Sequence, residues 1–181
     1  MAEHSPYVRD GKLDVDAATA ELERFLGLLL KHARLQVRYE FRQHAPGELS
    51  TGLLEGETPP ALTVVFRGED EDLLLAHHAE LMHAIEYIAQ RWLHLEPENA
   101  FLMRMDCADY RATRLEELRL TAKVAAQRVR ETHQPFRFQP MNSRERRAVH
   151  LALAGEADVR TESEGEGPRR LVVIYPTDKK Q

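Results

Sequence analysis

The sequence predicts an α+β chain of two modules, and three observations predict it. Apolar residues switch between helical spacing and strict alternation in the order helix, strand, strand, helix, helix, strand up to about residue 108. A long helix with an apolar stripe follows. The chain then closes on a short capped helix and two strands around a glycine-rich turn. We divide it into a flexible leader over 1–15, a first module over 16–108, and a second over 109–181 that includes the long helix.

In the first module, Asp16 stands where a helix N-cap is wanted. DAATAELERFLGLLLKHA then places Leu22, Phe25, Leu26 and Leu29 at helical spacing, with Lys31 and His32 near the end where positive charge is favoured. LQVRYEFR alternates Leu35, Val37, Tyr39 and Phe41 against polar neighbours, the period of a half-buried strand. Residues 43–60 carry APG, TG, EG and PP and form a long loop; ALTVVFR is a second strand through Leu62, Val64 and Phe66. LLLAHHAELMHAIEYIAQRWLHL puts Leu81, Ile85, Ile88 and Trp92 on one helical face, as two short helices or one with an irregular entry. FLMRMDC alternates Phe101, Met103, Met105 and Cys107 and completes a three-stranded sheet backed by helices.

From Asp109 a long helix carries Leu115, Leu118, Ala122, Ala125 and Val129 as its apolar stripe, and HQPFRFQPMN breaks it with two prolines. In the next helix, RERRAVHLALAG, Asn142 is the cap, Glu145 reaches back to it, and Gly155 supplies the stop. ADVRTES and LVVIYP are strands joined by EGEGP.

Composition bounds the function. With 43% hydrophobic and 30% charged residues, the chain is globular. A single cysteine, Cys107, excludes an internal disulfide, and on its strand it fills core rather than attacking a substrate. No run approaches the roughly eighteen apolar residues of a membrane span, and MAEHSPYVRDGK lacks the apolar core of a secretion signal, so the expected location is the cytoplasm. The formal charge of -5 argues against coating nucleic acid by bulk electrostatics. From His133 onward, however, nine Lys/Arg face seven Asp/Glu, leaving sixteen against twenty-three before it. A polyanion should prefer the C-terminal part.

That part offers a face for one. At 100° per residue, Ser143, Arg146, Arg147 and His150 fall opposite Ala148, Val149, Ala152 and Leu153. A guanidinium forks onto phosphate oxygens, and an imidazole donates to a phosphate or stacks on a base. Spacing alone also describes a solvated helix face. The wider string QPMNSRERRAVHLALAGEADVRTESEGEGPRRLVVIYP resembles the R-x3-H domain, a single-stranded nucleic acid binding module. Arg146 and His150 match its motif, and Thr161, Ser163, Gly165, Pro168 and Arg170 match the T-x-S-x-G-x-x-P-x-R that follows. With the preceding order of elements, the chain is similar to the bacterial Jag/KhpB family, in which a KH domain precedes the R-x3-H domain, from about residue 16 to 176.

The resemblance implies a KH-like three-stranded sheet with helices, then a small sheet packed on helices. It also implies binding of single-stranded RNA, with single-stranded DNA as the alternative, by a post-transcriptional regulator linked to cell envelope growth and division. Arg146 and His150 would touch the strand, Arg147 would add charge, and Arg169 or Arg170 would give a second phosphate contact. Pairing with a small stand-alone KH protein, or self-association, belongs to the same expectation. The leader is too short for the additional N-terminal Jag domain of some members.

One loop departs from the pattern. A KH domain grips the backbone with a GXXG loop, whereas the aligned stretch here has Ala76 and Ala79 for the glycines and His77 and His78 between them. Alanine resists positive φ, two histidines carry little charge at neutral pH, and Glu69, Asp70, Glu71 and Asp72 lower the local potential. This loop is expected to have lost ordinary RNA affinity; a pH-sensitive contact through His77 and His78 is the contrary reading. His77, His78 and His83 lack the further ligands of a zinc site, so no metal or other cofactor is expected. Without a Walker loop, a nucleophile elbow or HExxH, nothing points to an enzyme. The rival reading is a protein interaction or dimerisation module that keeps both folds and has lost most RNA affinity.

Overall fold

The computed structural model describes residues 5–45 and 52–177, so the middle of the long loop expected over 43–60 lies outside the described residues. Two compact units divide between Arg111 and Ala112.

From Ser5 on, the segment expected as a flexible leader is instead structured. Strands β1 (Val8–Arg9) and β2 (Lys12–Leu13) pair antiparallel, Leu13 is buried, and Tyr7 and Val8 pack on the core. Ser5, buried, donates its hydroxyl to the Leu93 carbonyl at 2.7 Å. The anchoring residues are too sparse to make a period, which is why the segment reads as loose. Asp14, rather than Asp16, caps α1 (Val15–Ala33): its carboxylate accepts from Ala17 N at 3.2 Å, and Asp16 falls in the first turn.

Strands β3 (Val37–Gln43), β4 (Leu62–Gly68) and β5 (Met103–Cys107) form a sheet in that order, β3 antiparallel and β5 parallel to β4. Leu62, Val64 and Phe66 lie between Val37, Tyr39 and Phe41 on one side and Met103, Met105 and Cys107 on the other, all turned to the helices. Tyr39 and Phe41 are only half-buried because β3 is an edge strand. Burial pushes the Cys107 thiol up to about 11, so at neutral pH it is a protonated core residue.

Helix α2 (Glu71–Trp92) is broken from Ala76 to Ala79. Behind the break the helix is apolar on two overlapping faces, and the sheet takes one of them. The buried stripe is Met82, Ile85 and Ala89, whereas Leu81 is half-buried and Ile88 and Trp92, expected inside, are exposed.

In the second unit, α3 (Tyr110–Thr132) buries the expected Leu115, Leu118, Ala122, Ala125 and Val129. Strand β6 (Phe136–Arg137) lies within the segment read only as a break; a two-residue strand offers no alternation to see. It pairs with β8 (Leu171–Pro176), which also pairs with β7 (Val159–Glu164), giving an antiparallel sheet of order β6-β8-β7. Val159, Val172 and Ile174 meet the α3 stripe together with Val149 and Leu153. Helix α4 (Ser143–Ala152) opens on the expected capping box: Asn142 Oδ1 accepts from Glu145 N at 2.9 Å, and Glu145 Oε2 accepts from Asn142 N at 3.1 Å. Its end differs. The helix tightens into bonds from Leu153 N to His150 O and Ala154 N to Leu151 O, and Gly155 lies beyond without a left-handed φ.

Among the described residues, no helix is long and apolar enough to cross a membrane, and no three His, Cys, Asp or Glu side chains are placed to hold a metal ion.

Candidate nucleic-acid interface

The two motif residues of α4 are held by different partners. His150 is half-buried with both ring nitrogens engaged by β7: Nδ1 lies 2.6 Å from Thr161 Oγ1 and Nε2 lies 3.0 Å from Ser163 Oγ. Thr161 and Ser163 are two apart on a strand and therefore share a face, the one that carries Val159 into the core. Both polar atoms of the ring therefore lie against hydroxyls of the same domain rather than in open solvent. Each hydroxyl retains hydrogen-bonding capacity for a ligand.

Arg146, also half-buried, donates from Nη1 to the Met141 carbonyl at 2.9 Å. A guanidinium has five N–H donors, so this bond fixes the fork and leaves most of it for a ligand. Met141 in turn donates its N–H to the Arg170 carbonyl at 3.1 Å. Through Met141 the structure brings Arg146 beside the Gly167–Arg169 turn, whose Arg169 is exposed along with the following Arg170. Arg147 is exposed on the next position of α4. Gly165, at φ +82°, permits the turn: a Cβ there would stand 2.9 Å from the Arg169 carbonyl oxygen.

Below this surface, Glu145 is 7% exposed and its Oε1 accepts from Arg114 Nε at 2.9 Å, tying the start of α4 to α3. Thr161 and Ser163 as polar partners, and Met141 as the shared backbone node, escape a reading of α4 alone. Their signal was the T-x-S spacing on an alternating strand.

The loop of the first unit needs a correction too. His77, His78 and Ala79 all take left-handed φ, at 52°, 61° and 60°, while Ala76 stays at -56°. Alanine's reluctance toward positive φ therefore does not keep Ala79 from it. The strain is about 1–2 kcal/mol per residue, and the burial of Leu74, Ala79 and Met82 around the break opposes it. His77 and His78 are exposed. Two of the acids before them have structural work: Asp70 Oδ2 accepts from Gln36 N at 2.6 Å and Glu71 Oε1 from Gly68 N at 2.8 Å. His83 instead lies edge-on to Tyr110, with ring centroids 6.2 Å apart.

Residues 116–176 match the family model of the R-x3-H domain. The second unit carries an R-x3-H domain. Curated relatives extend the likeness beyond it. The RNA-binding protein KhpB of Clostridium symbiosum is 30% identical over 118 residues, 65% of this chain and 53% of that protein. The RNA-binding protein KhpB of Bacillus subtilis (strain 168) is 33% identical over 109 residues, 59% of this chain and 52% of its own. That of Lactiplantibacillus plantarum is 31% identical over 112 residues, 62% of this chain and 35% of its own. The chain thus spans about half the length of the first two and about a third of the last.

Within the R-x3-H domain, burial, and secondarily the Arg146 charge, hold His150 below the usual histidine range. The folded state prefers the neutral ring, so the unfolded state takes up the proton first. This contribution to stability is therefore present above pH ~6.5 and is lost as pH falls through the lower folded value. An NMR titration of the His150 ring should give a midpoint below ~6.5, and Arg146→Ala should raise it only part of the way back, because burial is the larger cause. A midpoint at or above the ordinary value would contradict the packing described.

Proposed function

We propose that the chain binds single-stranded RNA through its R-x3-H domain. The observation that carries this reading is the Arg146 fork, fixed on Met141 beside the exposed Arg169 and Arg170, with the Thr161 and Ser163 hydroxyls held by His150. Arg146, Arg169 and Arg170 contact phosphates, Arg147 adds charge, and His150 presents the hydroxyls and the edge of its ring to the strand. The names of the KhpB relatives support RNA as the ligand. A post-transcriptional role linked to envelope growth, in the cytoplasm, is proposed with it on the family resemblance.

The first unit, read as KH-like, serves as scaffold or pairing surface, because acids crowd its AHHA loop. A protein interaction module without RNA affinity is the second reading, favoured by that loop and by the acidic first part of the chain.

Binding of a short single-stranded RNA, and of DNA of equal length, separates the readings. Loss of a charged phosphate contact costs about 1.5–3 kcal/mol, so the Arg146→Ala, His150→Ala double change, checked for folding by circular dichroism, should weaken RNA binding at least ~10-fold. With three or four phosphates neutralised, log affinity should fall against log salt with a slope of roughly -2 to -3. Equal binding by wild type and variant would remove the assigned site.

A further inference from the structure

The first unit holds a cleft that the R-x3-H domain does not use. It lies at the end of α2, has a volume of about 490 Å³, and is lined by Tyr7, Glu21, Ile88, Arg91, Trp92 and His94 among others. That size falls in the range of ligand sites. Two of its apolar walls are unusually open, Trp92 at 43% and Ile88 at 48% exposure. The indole is nevertheless held in place: its N–H donates to Glu21 Oε1 at 2.8 Å and its ring lies 5.5 Å from that of Phe25.

The charge of the cleft follows from the same bonds. Glu21 spends its other oxygen on Arg24 at 2.8 Å, so its carboxylate is matched on both sides. Arg91 is exposed and forms no ion pair with a described residue, and His94 beside it is exposed as well. The helix end contributes about half a negative charge, less than the full charge of Arg91. In a part of the chain that is acidic overall, an oriented aromatic ring adjoins a net cationic rim.

We propose that this cleft is a nucleotide subsite: one base of a single strand lies against Trp92 and Ile88, and its phosphate meets Arg91, with His94 alongside. A π-face plus an arginine is the combination that holds unpaired nucleotides without sequence preference, because every base has a face to stack. A purely apolar side chain would leave the Arg91 charge unanswered, and a bare anion would leave the ring in water. The inference rests on the RNA reading for its ligand, but not on the R-x3-H site.

The chain has one tryptophan, so its fluorescence reports this cleft alone. The probe is a uridine trinucleotide, too short to bridge distant sites, followed by a ten-nucleotide RNA. Saturable quenching by both is expected. Arg91→Ala, an exposed change, should shift the trinucleotide midpoint upward about tenfold, Arg91→Lys should restore most of it, and Arg146→Ala, His150→Ala should leave it in place. No quenching while the longer RNA is still bound by the R-x3-H domain would overturn the subsite and leave the proposed function standing. Quenching unchanged in Arg91→Ala, quenching abolished by the double change on α4, or equal quenching by an acidic peptide would also overturn it.

Discussion

Replacing Glu145 with alanine is expected to destabilise the R-x3-H unit by about 3 kcal/mol, the low end of the cost of breaking a buried ion pair. Its side chain performs two tasks at once. Oε1 accepts from Arg114 Nε at 2.9 Å, and Oε2 accepts from Asn142 N at 3.1 Å to close the capping box. The Glu145 and Arg114 side chains are 9% and 16% exposed, so little solvent compensates the loss. Glu117 also pairs with Arg114, at 3.4 Å, but is 59% exposed; Glu117→Ala should cost under about 1 kcal/mol. Glu145→Gln keeps an acceptor for the cap and removes the charge, so it should fall between the two. Urea unfolding followed in the second unit measures all three. Near-equal effects of Glu145→Ala and Glu117→Ala would show that burial does not set the value of this pair.

The second large effect is expected at Gly165. Alanine there meets two penalties, a left-handed φ of +82°, worth about 1–2 kcal/mol, and a Cβ 2.9 Å from the Arg169 carbonyl oxygen. That neighbour is backbone and cannot swing aside, so the Gly167–Arg169 turn has to shift. The total is about 2–3 kcal/mol. Because Arg170 O accepts from Met141 N and Met141 O holds Arg146, the shift should also weaken RNA binding. Gly167→Ala is the control. Its φ is +53° but nothing lies within 4 Å of the added Cβ, so it should cost only the strain and leave RNA affinity nearly unchanged. Equal losses of affinity at the two glycines would mean that the turn does not position the arginines.

How much of the fold is legible in the sequence depends on length and redundancy. The α3 stripe spans several turns, and five apolar positions agree on one phase, so its buried residues follow from spacing. The capping box needs only Asn142 and Glu145 three apart, a local rule that packing left intact. The β1–β2 hairpin had no such redundancy, since Leu13 and its few apolar neighbours mark it weakly. The buried face of α2 is ambiguous for a different reason: behind the break, Leu81, Ile85, Ile88 and Trp92 make one apolar stripe and Met82, Ile85 and Ala89 another beside it, and spacing alone does not say which of the two meets the sheet.

By itself, the sequence determined the α+β class, the order of the longer elements, the Asn142–Glu145 capping box and the identity of the motif residues, because each is written in spacings of a few positions. Only the tertiary structure decided what those residues meet. It set His150 of α4 against Thr161 and Ser163 of β7, and it joined Arg146 to Arg170 through the backbone of Met141. Periodicity states which side of a helix is turned away from the core. Which polar group arrives there depends on where the chain returns, and strand pairing settles that.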